Sequence, residues 1–260
     1  MERALWTSVS GMTAQQLSLD TIANNLANVN TASFKASQVR FQDMLYTVLK
    51  TPGATSGDAQ VPNGIQIGYG TRVAEVAKSF EQGPLKETGR DLDIGNEGEG
   101  FFEVILPDGT SAYTRDGSFR TTNAGEVVTV DGYKVAGFDA IDQGTTEITI
   151  SGDGSFSTVV NGAQVPKTRL TLTLFTNPEG LRSLGRNLYQ PTEASGTAQS
   201  GNNPGENGAG TLAQRYLEHS NVNPAEEMVN MIVTQRAYEA NSKAIKASDE
   251  MLEVANGLRR

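Results

Sequence analysis

Apolar residues at Leu5, Val9, Met12, Leu19, Ile22, Ala23, Leu26 and Val29 recur at three- and four-residue steps, and Leu5, Met12, Leu19 and Leu26 keep a strict seven-residue spacing. That period predicts an amphipathic helix from Leu5 to Val29. At 100° per residue the positions fill an arc of roughly 160°, and the helix would be about 37 Å long. Trp6 and Leu17 fall off the face, as do Asp20, Asn24 and Asn28. The far end of the chain carries the same signal. Asn223-Pro224-Ala225-Glu226 reads as an Asn N-cap, Pro at the first helical position and Glu at the third, and no further Pro or Gly intervenes before Gly257. Val233, Ala237, Ala240, Ala244, Ala247, Met251, Val254 and Leu258 form one row along this second helix. Met231, Tyr238, Ile245 and Leu252 form another beside it, interleaved with Thr234, Asn241, Ser248 and Ala255. Together the rows cover close to 200° of the helix, about 50 Å long, which is more apolar surface than one partner helix can hide.

Between these ends the period changes to two. From Gly64 to Phe175 short alternating runs are separated by Pro107-Asp108-Gly109, Asp116-Gly117, Asn123-Ala124-Gly125, Asp131-Gly132, Asp153-Gly154 and Asn161-Gly162. Such punctuation predicts strands at Phe101–Leu106, Val127–Val130, Thr146–Ile150 and Arg169–Phe175. Thr51 to Gly70, with Pro52, Pro62 and five glycines, and the Gly-, Ser- and Asn-rich Thr192 to Gly210 read as extended connectors. The expected fold is a discontinuous α+β arrangement in which long N- and C-terminal helices form a coiled-coil-like inner domain and the middle is all-β. The expected division is 1–35 plus 223–260 as the terminal helical domain, 36–90 plus 190–222 as a linking region, and 91–189 as an outer β domain.

Composition narrows the chemistry. Cysteine is absent and His219 is the lone histidine, so disulfides, thiolate catalysis, Cys-built metal sites and His-pair metal sites are all excluded. A net charge of −9 is the wrong sign for gripping phosphate backbones, so nucleic acid is not expected as a partner. No run of 18 apolar residues predicts membrane insertion, and Met1 to Leu17 lacks the apolar stretch of a secretory signal. Asp91, Asp93, Glu97 and Glu99 cluster near glycines, but alternation places Leu92 and Ile94 inward and the acids in water. Gly95 to Gly100 lacks the order of a dinucleotide loop, and Asp91 to Gly95 has Gly where a calcium loop needs an oxygen ligand. No catalytic, cofactor or metal residue is therefore expected.

Ordering some 60 terminal residues costs on the order of 60 to 120 kcal/mol of backbone entropy, which a single helix pair offsets poorly. Assembly with other copies is the expected remedy. The expected contact residues are Leu5, Val9, Met12, Leu19, Ile22 and Leu26 in the first helix and Ala237, Tyr238, Ala244, Ile245, Met251 and Leu252 in the second.

Asn24-Asn25-Leu26-Ala27-Asn28-Val29-Asn30-Thr31, followed by Phe34-Lys35, resembles the N-terminal signature of bacterial flagellar rod and hook axial proteins. Ser220-Asn221-Val222-Asn223-Pro224-Ala225-Glu226-Glu227, then Gln235-Arg236-Ala237-Tyr238-Glu239-Ala240-Asn241, is similar to that family's other end. Gly100-Phe101-Phe102-Glu103-Val104 and Ala112-Tyr113-Thr114-Arg115-Asp116-Gly117 are similar to the β region of its longer members, so the resemblance covers nearly the whole chain. Arg3-Ala4-Leu5-Trp6, the stretch after Leu45-Tyr46 and Asn207-Gly208-Ala209-Gly210 look most like the distal-rod branch, with a proximal rod protein or a hook-type protein as the alternative. The family usually has Gly before the aromatic-Lys pair, where this chain has Ser33, so a positive φ there would cost about 1 kcal/mol more.

The resemblance implies a non-enzymatic structural subunit of the periplasm-spanning rod in the flagellar basal body. Such a subunit is exported by the flagellar type III apparatus without signal cleavage. It polymerises with itself into a helical tubular drive shaft that transmits torque from motor to hook and encloses the export channel. Other rod proteins, the hook protein and the surrounding ring proteins are the implied partners, and the connector of about Tyr46 to Thr71 is implied to touch neighbouring subunits. Readings of another class are a peptidoglycan-acting enzyme using Glu97 or Glu99, and a glycan-binding β module with helical arms.

Overall fold

A computed structural model describes residues 2–51, 55–56, 59–60, 63–160 and 162–257. The 3.6-residue period becomes two α-helices, α1 at Glu2–Ala27 and α2 at Pro224–Gly257. The start of α2 follows from its local chemistry. Asn223 Oδ1 accepts the Ala225 N–H at 3.1 Å and the Asn223 carbonyl accepts the Glu227 N–H at 3.0 Å, while Glu226 and Glu227 sit where the helix dipole favours negative charge.

The expected coiled-coil-like inner domain is not what the structure shows. Among the described residues there are only these two α-helices, and they do not make a helical domain of their own. They share a compact unit (1–27, 37–78 and 223–260) with antiparallel strands. Ser37–Asp43 pairs with Thr71–Lys78, and Tyr46–Lys50 pairs with Ile65–Gly68, so the first predicted connector, Thr51 to Gly70, lies within a β ribbon that its Ile65–Gly68 joins, while its residues 52–54, 57–58 and 61–62 are outside the described residues. The physical reason lies on α1, which has two packing faces. Leu5, Met12, Leu19 and Leu26 are half-buried, whereas Ser10 and Ala14 on another side serve the ribbon. Gly70 lies so near Ser10 that a Cβ there would collide with its hydroxyl, and the Thr71 N–H reaches Ser10 Oγ at 3.4 Å. Asn25 closes the joint by exchanging hydrogen bonds with Ser37 at 2.9 Å in each direction and donating to Glu227 Oε1 at 2.9 Å.

The second unit comprises 28–36 and 79–222. Its seven-stranded antiparallel sheet runs Arg120–Thr121, Val127–Val128, Lys134–Val135, Phe102–Ile105, Ser111–Thr114, Leu188–Gln190 and Arg182–Gly185. A three-stranded meander, Thr145–Ile150, Phe156–Val160 and Ala163–Pro166, stands beside it in sequence as a separate sheet. The second predicted connector contributes Gln199–Asn202, which pairs with Leu172–Leu174. Inward-facing apolar residues meet in a core of Ile94, Phe102, Phe119, Phe156, Leu170 and Leu172, with Phe102 and Phe119 edge-to-face at 5.2 Å. A smaller aromatic cluster packs Phe101, Tyr113, Phe175 and Tyr189 at similar geometry.

Candidate assembly surface and buried charge triad

The structure sorts the expected contact residues by which way α2 faces. Its inward row is Met231, Thr234, Tyr238, Asn241, Ile245, Ser248 and Leu252, at alternating three- and four-residue steps. Thr234 and Ser248 are buried although polar, because their hydroxyls donate back to the carbonyls of Asn230 at 2.7 Å and Ala244 at 2.9 Å. Asn241 faces Gly11 of α1 so closely that a Cβ on the glycine would come within 2.9 Å of its amide nitrogen. The other row points outward. Val233 and Val254 are 62% and 63% exposed, Ala240, Ala244, Ala247 and Met251 are exposed too, and Ala237 sits at the margin. Leu258 lies outside the described residues. In α1 Ile22 is buried, Leu5, Met12, Leu19 and Leu26 are half-buried, and Val9 is exposed.

A second apolar surface in the same unit was missed at the residue level. Leu45 is 85% exposed, and Tyr46, Val48, Leu49, Ile65 and Ile67 around it are also exposed on the ribbon. Its only sequence signal was the cluster of large apolar residues just before the Gly- and Pro-rich stretch. Between α1 and the strand Thr71–Lys78 runs an open groove of about 630 Å³ lined by Ala14, Leu17, Asp20 and Val73.

The motif residues collect elsewhere. Lys35 is fully buried, and its Nζ donates to Glu218 Oε1 at 2.7 Å and to the Glu81 carbonyl at 2.6 Å. Arg115, also buried, donates from Nε to Glu218 Oε2 at 3.0 Å and from Nη2 to the Gly98 carbonyl at 2.7 Å. The Gly83 N–H adds a further bond to Glu218 Oε1 at 2.9 Å, in a passage so tight that a Cβ on Gly83 would collide with the His219 carbonyl. Burial, and then the neighbouring Arg115, push the Lys35 ammonium below its usual range, and Glu218 only partly opposes this. Burial likewise raises Tyr189 to about 12. Arg115 and Glu218 were not singled out in the sequence. The available signal was Lys35 between Phe34 and Ala36, since a lysine buried beside them demands a carboxylate from elsewhere in the chain.

Ser33 adopts φ 53°, the conformation a glycine would take freely. Packing enforces it: the buried Ser33 donates from its N–H to the Glu218 carbonyl at 2.8 Å and from Oγ to the Arg115 carbonyl at 3.0 Å. Phe34, Ala36 and Val222 pack together beside it. Asn221 accepts the Ala36 N–H at 2.8 Å and donates to the Ser79 and Glu81 carbonyls at 3.0 and 3.1 Å. Asn28 Oδ1 accepts the Thr31 hydroxyl at 3.1 Å, and Ser220 Oγ receives the Val222 N–H at 3.3 Å. Asn24, Asn30, Gln235 and Arg236 are exposed, Arg236 pairing with Glu239 at 3.0 Å.

The acidic cluster is corrected in one respect. Asp93 is buried, with Arg90 Nη1 3.3 Å from its Oδ1 in an ion pair that lacks hydrogen-bond geometry, because the chain bridges to Ser118 there and turns the side chain inward. Glu97 and Glu99 are exposed, and Asp91 pairs with Arg215 at 2.8 Å. Among the described residues no three His, Asp or Glu side chains could hold a metal ion together, and no helix is long and apolar enough to cross a membrane.

Comparison with known proteins covers both ends and the middle. Residues 5–35 match the family model described as flagella basal body rod protein, 97–158 the flagellar hook protein FlgE/F/G D1 domain, and 213–258 the flagellar basal body rod FlgEFG protein C-terminal region. The flagellar basal-body rod protein FlgG of Borreliella burgdorferi is 46% identical with all of both chains covered. That of Caulobacter vibrioides is 42% identical over 99% of each chain, and that of Bacillus subtilis 38% identical over the whole of both. The chain belongs to the FlgG family of flagellar basal-body rod proteins.

Proposed function

We propose that the chain is a non-catalytic subunit of the distal rod of the flagellar basal body, polymerising with copies of itself into a helical tube and meeting other rod and hook proteins at its ends and ring proteins around it. The outward row of α2 carries this reading. Val233, Ala240, Ala244, Ala247, Met251 and Val254 form a continuous apolar stripe left in water by a single chain, and burying such a stripe is favourable at about 25 cal/mol per Å². The ribbon around Leu45 and the groove between α1 and Thr71–Lys78 supply unlike surfaces. Contacts between unlike surfaces are head-to-tail and extend indefinitely unless the rotation closes, which is how a shaft grows.

Electron microscopy and sedimentation of concentrated protein test it. Wild type should form rods. Ala244→Asp, on the exposed side of α2, should stay monomeric with an unchanged circular dichroism spectrum. Rods of Ala244→Asp indistinguishable from wild type would remove the reading.

A further inference from the structure

We propose that the Lys35–Arg115–Glu218 triad is a chain-completion lock: the unit made of 28–36 and 79–222 closes its core only when Glu218, 183 positions after Lys35, has joined. Two buried cations share one buried carboxylate, and each makes its ion pair with a different oxygen of it. Before Glu218 is present, Lys35 and Arg115 are like charges that cannot be buried side by side without a counter-ion. Both therefore remain in water, and Ser33–Ala36 remains unpacked with them.

The segment that carries Glu218 also supplies two strand partners and part of the main core. Thr211–Gln214 is the strand partner of Ile94–Glu97, and Tyr216–Glu218 that of Leu85–Glu87. Leu212 and Ala209 belong to the main core. Gln214 donates to the carbonyls of Asp91 and Ile148 and accepts the Ile150 N–H. A chain delivered from its N-terminus thus holds Lys35 and Arg115 unpaired with Glu218, and Ile94–Glu97 and Leu85–Glu87 without their strand partners, until its late residues appear. Closure over so long a loop is entropically costly and slow, so premature folding of the early part is suppressed on both counts. The lock keeps a partial chain open without any second protein.

Amide hydrogen exchange by mass spectrometry on the full-length chain tests this. Glu218→Gln strands two cations. It should accelerate exchange at Phe102–Ile105 and Ser111–Thr114 by the same factor as at Ser33–Ala36 and Leu85–Glu87, on the order of 100 to 1,000. Lys35→Met leaves a balanced Arg115–Glu218 pair and should accelerate the same strands by about tenfold or less. Adding Lys35→Met to Glu218→Gln removes one stranded charge, so the double variant should exchange more slowly than Glu218→Gln alone. If Glu218→Gln leaves no protected strand, recovered protection in the double variant supports the lock and its absence overturns it. Acceleration confined to the triad's own segments, or a double variant no slower than Glu218→Gln, overturns it as well.

Discussion

The two compact units handle apolar surface in opposite ways. In the β unit Phe119, Phe156 and Leu172 are enclosed, and even its buried charges Lys35, Arg115 and Glu218 are paired inside. In the unit of helices and ribbon, Trp6, Leu45, Val233 and Val254 stand in water although each could contribute about 1.5 to 3 kcal/mol by burial. One unit is finished by a single chain. The other leaves large apolar side chains in water, and an exposed apolar area of that kind marks an interaction surface.

That contrast can be broken from the β side first. Phe119→Ala should lower the unfolding free energy of the β unit by about 3 to 5 kcal/mol in denaturant titration. The helices should keep their exchange protection if the units are separately cooperative. Alkaline pH comes next. Tyr189 is raised to about 12 when folded against about 10 unfolded, so the folded state holds its proton more tightly. Stability is complete below pH 10 and falls as pH rises from 10 to 12, by roughly 2 to 3 kcal/mol in all. Burial raises Tyr113 in the same direction. Tyr189→Phe should flatten much of that fall in pH-dependent denaturation curves. On the helical side, Ile245→Ala should cost about 2 kcal/mol in thermal unfolding of α2, since Ile245 belongs to the inward row.

The smaller effects sharpen the comparison. Ser33→Gly should be more stable than Ser33→Ala by about 1 kcal/mol, because both lose the hydroxyl and only glycine is relaxed at φ 53°. Equal stability of the two would mean that the turn relaxes instead. Ala244→Asp should shift the monomer's unfolding by no more than about 0.5 kcal/mol, as an exposed substitution does, while sedimentation should show assembly abolished.

The helices, the Asn223 cap and most central strands were legible because each rests on local periodicity or on residues within one turn. Which row of α2 faces inward was not. Hydropathy favours Val233, Ala237, Ala240 and Ala244, yet the buried row contains Thr234, Asn241 and Ser248. The hydroxyls of Thr234 and Ser248 are satisfied by their own helix, and Asn241 fits because Gly11 opposite has no side chain, facts that periodicity cannot carry. The helices were expected to find their further partners in other copies alone, because the chain shows no sign that Ser37–Lys78 returns to α1. Pairing over long separations, such as Ile94–Glu97 with Thr211–Gln214, is equally silent in a linear pattern. Phe34-Lys35 stood out as a motif, whereas its counter-ion came from beside His219, where nothing in the local pattern singles out Glu218.

Three of the outward positions of α2 are alanines, Ala240, Ala244 and Ala247. An alanine has no rotamers to freeze, so touching a neighbour there sacrifices no side-chain freedom. In the proposed shaft, stiffness would come from shallow, closely spaced backbone approaches repeated at every copy, with no need of a deep anchor at any one of them.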